Sequence, residues 1–551
     1  LISNFTYPAF FDLSSKNFAI LKGYKELGGW NMYRFLLTVL LICASPTGMT
    51  MEKFVQLGWL KPDSSLIHEF VYPEQLQTLY ANNHYQMIWY QDGAGELLEA
   101  HTSLLHYSEL SDFFSRRYSV LQQLRNEQRL FEYDLVATDT LIAYQQYVAA
   151  TKSHGEQWFY GNYVPDTELF QQRVDLSLLE NHIYLDSIKT YITALAPLRQ
   201  SAELLKPAID KLKLAVEQEI RVYSQRGLKR EGDALAQKAD LLRRLAVINI
   251  DVSDINPDKP FFDKSLTRVV KLFQSRHGIK ADGIIGPETL FWINYPLTER
   301  IRTIALNAER ARLYPSNKEN IILVNLPEFE LSYWHKGEEA FSSKVIVGRV
   351  ERKTPMLKVK LDTLIYNPTW RVPGKILRED IIPAIKRDQT YLEKNNFRIV
   401  KSWRAEEEVM PDSINWNEVT PDNFKYKLIQ GPGQRNALGQ YKFNTPNPRA
   451  IFLHDTPSKH LFGQSIRAYS SGCVRVQYAD KLAMALLNNQ QIIPPQDQEL
   501  AGEMNYRVPL KQRVPVYIIY QTSWLDDGQI HYRKDVYDYD RRKQDLILTI
   551  N

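Results

Sequence analysis

Cysteine is almost missing from this chain: in 551 residues only Cys43 and Cys473 occur. Charge of one sign is equally scarce. With 68 Lys and Arg against 64 Asp and Glu, the net charge of +4 gives no case for nucleic acid as a partner. A polyanionic wall or membrane surface is compatible with that balance without being implied by it. No metal-ligand cluster and no phosphate-cradling glycine loop is found, so neither metal nor cofactor is expected. Long apolar runs are lacking as well. The run Phe35–Ala44 is far short of the roughly 20 residues a helix needs to cross a bilayer. It follows Met32-Tyr-Arg and precedes Ser-Pro-Thr-Gly, the order of a basic region, an apolar core and a small-residue region, so residues 32–49 are predicted to be a secretory signal peptide. A buried core helix is the competing reading, and the proline that follows at once argues against it. The cleavage site is poorly marked, and no good lipobox precedes Cys43. Residues 1–31 read as an upstream extension before a start at Met32. If Cys43 leaves with the signal, the exported chain has one thiol and no intramolecular disulfide. A lone cysteine in an oxidising compartment is a liability unless it is used; otherwise it is a buried small hydrophobe.

What is present is a long globular chain. At 551 residues, with 44% hydrophobic and 12% aromatic content, it calls for three or four units. Residues 50–240 read as helical. Leu76, Leu79 and Tyr80 mark one short face, and Leu141, Tyr144 and Val148 another. Leu205, Ile209, Leu212, Val216, Ile220 and Tyr223 form a stripe about five turns long. The dense aromatics Tyr85, Trp89 and Tyr90 are expected in core packing rather than on a sugar shelf. From 241 to 297 the pattern becomes a compact helical unit. Leu266, Val269, Val270 and Phe273 share a helix face that ends at His277-Gly278, where glycine suits a left-handed cap. A turn at Asp282-Gly283 follows, and Pro287 opens the next helix.

Residues 298–319 read as a charged helical linker. Beyond them the period switches to two. Ile322, Val324, Leu326 and then Phe329, Leu331, Tyr333 alternate, and Lys336-Gly337 supplies a turn before Val345 and Val347. This opens a β-rich domain over 320–545. Alternation fails between about 375 and 428, where a charged, helical segment with Trp403 and Trp416 is best read as an inserted lid.

The reactive stretch lies just past that insertion. The apolar run Ala450–Leu453 delivers His454, and Ser471-Gly472-Cys473-Val474-Arg475 follows, Cys473 standing nineteen positions after His454. A loop must fold back for the two to meet. Imidazole is the usual partner that draws a cysteine toward thiolate from a pKa of about 8.5. Gly472 allows a tight turn whose amides can face a developing oxyanion. Arg475, two positions on, points to the same side and suits a substrate carboxylate. His460 reads as a surface loop residue. The side chain of Asp455 is expected to point away, leaving a backbone carbonyl to orient the imidazole.

Two stretches carry family resemblance. Val270-x-x-Phe-Gln274 through Gly278 and Asp282-Gly283 to Gly286 and Thr289 resembles a peptidoglycan-binding domain, which binds glycan or serves only as a spacer. His454 with Ser471-Gly472-Cys473-Val474-Arg475 resembles the active-site signature of the L,D-transpeptidases of bacterial cell walls. Lys353-Thr-Pro355, Asn367-Pro-Thr-Trp370, Val372-Pro373, Gly431-Pro-Gly433, Asn436-Ala-Leu-Gly439, Lys442-Phe443 and Leu453–Pro457 resemble landmarks of the large subtype, as do Val514–Tyr517, Trp524, Asp527-Gly528 and Arg533–Tyr537. The resemblance implies a multidomain α+β chain: a helical scaffold domain, a small three-helix peptidoglycan-binding-like domain, and a β-rich catalytic domain with an inserted lid. It implies Cys473 as nucleophile, His454 as general base and acid, and the backbone at Gly472 for the oxyanion. Arg475, Ser471, Phe452 and Trp370 are the substrate-binding candidates. Many members carry histidine where Ser471 stands, which leaves base duty to His454. Further implications are a periplasmic, monomeric enzyme that forms 3-3 cross-links between tetrapeptide stems as donor and acceptor, slow acylation by carbapenems, and cell-wall synthesis proteins as partners. Anchoring of a lipoprotein, hydrolysis by water, and an inactive wall-binding scaffold are the alternatives.

Overall fold

The stretch from Leu130 to Gly161 contains no proline, and in the computed structural model it forms one helix of 32 residues, closed by left-handed Asn162. The structure describes residues 46–542 apart from 62–63, 90–92, 171–174, 198–200, 316, 405 and 421. The upstream extension, Cys43, Tyr90 and most of the signal segment lie outside the described residues, and the end of that segment opens the helix Pro46–Gln56. Helices Pro73–Asn82, Ala94–Tyr107 and Asp112–Asn126 surround the long helix. Leu76, Leu79, Tyr80, Leu141 and Tyr144 are buried as the spacing predicts, Val148 is half-buried, and Trp89 is a core residue donating its indole N–H to Thr138. Two carboxylates inside this core tie loops to the long helix. Asp134 accepts the N–H groups of Ile88 and Trp89, and Asp139 those of Val71 and Tyr72 together with a 2.6 Å ion pair from Arg117. Burial outweighs these bonds at Asp134 and pushes its pKa up to about 6.

The stripe predicted from Leu205 to Tyr223 is shorter than expected. The helix is Ala202–Glu217, its buried face runs Leu205, Ile209, Leu212 and Ala215, and Val216 is exposed. Ile220 and Tyr223 lie past its end. The helical unit that follows consists of Lys238–Val247, Lys264–Arg276 and Pro287–Ile293. Leu266, Val269, Val270 and Phe273 are buried in it, and Gly278 has φ +64°. A Cβ at Gly278 would fall 2.4 Å from the side chain of Arg533, so glycine here both caps the helix and admits a residue from the C-terminal hairpin.

The expected linker is in fact the central pillar. Helix Leu297–Arg310 is buried along nearly its whole length, its arginines included. Arg310 pairs with Asp540 at 2.5 Å, donates to the carbonyls of Phe159 and Tyr539, and lies 4.6 Å from the ring of Tyr160. Glu309 accepts from Tyr147 at 2.7 Å and pairs with Arg312, while Asn307 exchanges hydrogen bonds with Thr522. Arg300 is wholly buried against Tyr532 and donates to His277. The charges that made this segment look solvated are the bonds that join the helical region to the C-terminal one.

The β-rich region uses strands β1 (Asn320–Asn325), β2 (Glu330–His335), β3 (Glu338–Gly348), β4 (Leu357–Tyr366), β5 (Trp370–Arg371), β6 (Phe397–Val400), β7 (Lys427–Gln430), β8 (Tyr441–Asn444), β9 (Leu453–His454), β10 (Ala468–Ser470), β11 (Val474–Val476), β12 (Tyr506–Ile519), β13 (Ser523–Asp526) and β14 (Gln529–Tyr532). The main sheet runs β10-β3-β11-β9-β8-β4-β12-β1-β2, and β2 also pairs with β3, so the sheet curls round its own core. That core holds Ile322, Val324, Leu331, Tyr333, Phe443, Leu453, Val474 and Val476, covered by helix Ala479–Asn489. The predicted alternation in β1, β2 and β3 and the turn at Lys336-Gly337 are all present.

The insertion is not simply helical. It is a small unit with a three-stranded sheet, β5-β7-β6, and a core of its own in which Leu377, Ile381, Ile385, Phe397, Trp416 and Leu428 pack together. Its sheet begins at Trp370 and ends at Gln430, outside the predicted limits at both ends.

Candidate active site

Three short strands build the site. β8 pairs with β9 through Lys442 opposite His454, and β9 pairs with β11 through His454 opposite Arg475. Successive residues of a strand face opposite ways. Phe443, Leu453, Val474 and Val476 enter the core, so Lys442, His454 and Arg475 form one row on the other face. Cys473 stands one residue before β11 and two before Arg475, on that same face. Two adjacent parallel strands thus place Cys473 and His454 toward one face of the sheet. The strand bearing His454 is shorter than predicted: Ala450 takes a left-handed φ of +52°, and β9 begins only at Leu453.

The imidazole is fixed and neutral. Its Nδ1–H donates to the backbone carbonyl of Asp455 at 2.5 Å, which leaves Nε2 without a partner among the described residues. Burial and the adjacent Arg475 and Lys442 drive its pKa down to about 3. The carboxylate of Asp455 turns away, as expected, accepting the N–H of Gln440 at 3.0 Å and pairing with Lys459. A Cβ at Gly439 (φ +62°) would fall 2.3 Å from that carboxylate, which is why glycine closes the Asn436–Gly439 turn.

The thiol is half-buried and directs Sγ at the carbonyl of Ala450, 3.7 Å away; no hydrogen bond joins it to His454. Burial raises its pKa, opposed by the N–H of Phe452, by Lys442 and by Arg475. The resting groups are thus thiol and neutral imidazole, with no hydrogen bond between them. Tightening on substrate binding is usual for catalytic hydrogen bonds.

The loop before the thiol is held from three sides. Gly472 has φ +118°, a region that needs glycine, and its carbonyl accepts from Thr354 Oγ1 at 2.8 Å. Thr354 in turn accepts the N–H of Gly348. Tyr537 donates its hydroxyl to the carbonyl of Gly348 at 2.6 Å and accepts the N–H of Thr354. Ser470 Oγ donates to the carbonyl of Cys473 and accepts the N–H of Gly472. The peptide between Gly472 and Cys473 is therefore fixed, and the N–H of Cys473 meets no acceptor among the described residues, as an oxyanion donor requires.

The remaining candidates divide. Phe452 packs at 5.7 Å against the ring of His454 and lies under Lys442 Nζ at 4.3 Å. Ser471 accepts from Arg352 Nη1 at 2.8 Å. The guanidinium of Arg475 makes no hydrogen bond or ion pair with any described residue, and its Nε is buried and unsatisfied. Trp370 packs at 6.3 Å on Phe397 within the inserted unit. His460 is exposed, as expected. Sequence reasoning missed Lys442, Thr354, Arg352 and Tyr537. All four lie in segments the family resemblance had marked or bordered, but their roles depend on register and on contacts far apart in sequence.

Arg352 connects the loop to the insertion. Nearly buried, it pairs with Asp380 and Glu379 at 2.5 Å each while holding Ser471. Both carboxylates are partly exposed, so Arg352→Met is expected to leave the fold intact while freeing the insertion. Amide exchange in helix Ile382–Arg387 and the preceding turn should quicken roughly tenfold, the size of one or two charge-assisted hydrogen bonds. Unchanged exchange would show that the tether does not hold the unit down.

Comparison with known proteins accords with this geometry. Residues 319–494 match the L,D-transpeptidase catalytic domain. Residues 74–208 match a scaffold domain, and residues 241–293 the family described as "Putative peptidoglycan binding domain". A Haemophilus influenzae protein named "Putative L,D-transpeptidase" is 38% identical over 240 residues, which is 43% of this chain and 48% of that protein. The chain thus spans about half the length of this curated relative. Among solved structures, an L,D-transpeptidase from Stackebrandtia nassauensis is 15% identical, with 54% of this chain and 97% of that one covered and a TM-score of 0.21. One from Xylanimonas cellulosilytica is 13% identical, with 54% and 99% covered and a TM-score of 0.17.

Proposed function

We propose that the protein is a periplasmic L,D-transpeptidase that forms 3-3 cross-links between peptidoglycan stems, with Cys473 as nucleophile. The observation that carries this reading is the arrangement around the thiol: a neutral imidazole with Nε2 free on the neighbouring strand, and a fixed peptide whose N–H is unpaired. Sγ attacks the carbonyl of the third, diamino acid residue of a tetrapeptide stem as His454 Nε2 takes the thiol proton. The N–H of Cys473 meets the developing oxyanion. The tetrahedral intermediate collapses, the proton passes to the nitrogen of the departing D-alanine, and an acyl-enzyme remains. The side-chain amine of a second stem then attacks the thioester, His454 accepts its proton, and the thiol is released. The insertion serves as a lid against water, which competes as acceptor. The helical unit at 241–293 would carry the enzyme along its substrate. Cell-wall synthesis proteins are natural partners for a monomeric enzyme of this kind.

The test is incubation of the purified protein with tetrapeptide muropeptides, followed by mass spectrometry. Dimers joined through two diamino acids with loss of D-alanine support the reading. Shortened monomers would point instead to hydrolysis by the same acyl-enzyme, and stems joined to the lysine of an added lipoprotein peptide to anchoring. A carbapenem adduct should map to Cys473, and a Cys473→Ala protein that still made dimers would remove the assignment.

A further inference from the structure

The row across the three strands contains a feature that thiol chemistry alone does not require. His454 is flanked on both sides by cations, Arg475 on β11 and Lys442 on β8. Neither has an anion partner among the described residues. Lys442 is substantially buried: its Nζ lies over the face of Phe452, and burial together with Arg507 and Arg371 pushes its pKa down, with only the sulfur of Cys473 acting the other way. Arg507 reinforces this. It is opposite Ile365 on β4, which is itself opposite Lys442, so the positive field continues across the sheet. Arg371, by contrast, is already paired with Glu406 at 2.7 Å. Two half-buried, unpaired cations beside one imidazole are costly in the empty site. A ligand bringing its own negative charges would relieve that cost.

We infer that Lys442 is a second carboxylate-recognition residue, binding a carboxylate of the acyl donor on the side of His454 away from Arg475. The inference rests on the proposed acyl-transfer reading and deepens it. Arg475 and Lys442 together select a donor with carboxylates on both sides of the scissile carbonyl. One belongs to the departing terminal residue, and the other to the part that stays on the enzyme. Phe452 holds the lysine stem between the two, its ring against both the ammonium and the imidazole.

The test compares two probes: a tetrapeptide stem whose third residue has a free side-chain carboxylate, and the same stem with that carboxylate amidated. Binding is measured by calorimetry on Cys473→Ala protein, and turnover on the active enzyme. Lys442→Met keeps an unbranched stem over Phe452 without the charge. It is expected to weaken binding of the free-carboxylate stem by about tenfold or more, the loss of one charge-assisted hydrogen bond, and to leave the amidated stem nearly unaffected. Lys442→Arg should restore the preference. Equal losses on both stems, or no loss on either, would overturn the inference. Lys442-dependent discrimination in binding without any dimer product would keep the inference and remove the transpeptidase reading. Dimer formation with no Lys442-dependent discrimination would do the reverse.

Discussion

Replacing His454 with glutamine is expected to slow acylation of Cys473 by roughly 10²- to 10⁴-fold, the usual worth of a positioned general base, with little change in stability. The size follows from the resting state. Burial raises the pKa of the thiol, so few molecules carry a thiolate at neutral pH, and proton removal must accompany attack. Glutamine can keep a donor toward the carbonyl of Asp455 but has no basic nitrogen for the thiol. The pH dependence of the unaltered protein tests the same point. His454, drawn down to about 3, is already in its basic form at pH 5, so acylation by a carbapenem should stay level from pH 5 through the neutral range and change only in alkali, where the raised thiol ionises. No inflection should occur near the ordinary imidazole value of about 6.5. A sigmoidal step there would mean that burial, with Arg475 and Lys442 beside it, does not depress the imidazole.

Arg310→Met should be the most damaging change away from the site, at about 3 to 5 kcal/mol, the cost of removing one partner from a buried ion pair. Its guanidinium is fully buried and reaches Asp540, Phe159 and Tyr539, residues from both ends of the molecule. Removal leaves Asp540 and two carbonyls without their donor. Urea denaturation followed by tryptophan fluorescence should show an earlier transition, and limited proteolysis should release the helical region from the β-rich one. Thiol acylation at low denaturant should persist, since no atom of Arg310 takes part in the site. An unchanged midpoint would show that the apolar contacts of helix Leu297–Arg310 suffice.

These two changes also mark how far the sequence could be read. Alternation in 320–347, the buried face of Leu266–Phe273 and the glycine at 278 were legible because each depends on local period or local backbone geometry. His454 and Cys473 were legible from their residue types and family signature. The pillar helix was not, because Arg300, Arg310 and Arg312 look like surface charges until Asp540, Glu309 and a set of tyrosines close over them. Lys442 was missed for a related reason. Its meaning comes from standing opposite His454, a relation created by strand register. The insertion's strands were missed because all three are only two or four residues long, and the first pairs with a segment nearly sixty positions later.

Strand β12 runs between β4 and β1 in the middle of the sheet, and Tyr537 locks the turn that presents Cys473. Both lie beyond residue 494, where the catalytic-family match stops. A fragment trimmed to that match would lose an interior staves-width of the barrel and the keystone beneath its sulfur. Expression boundaries for the isolated β-rich region therefore belong after Asp540.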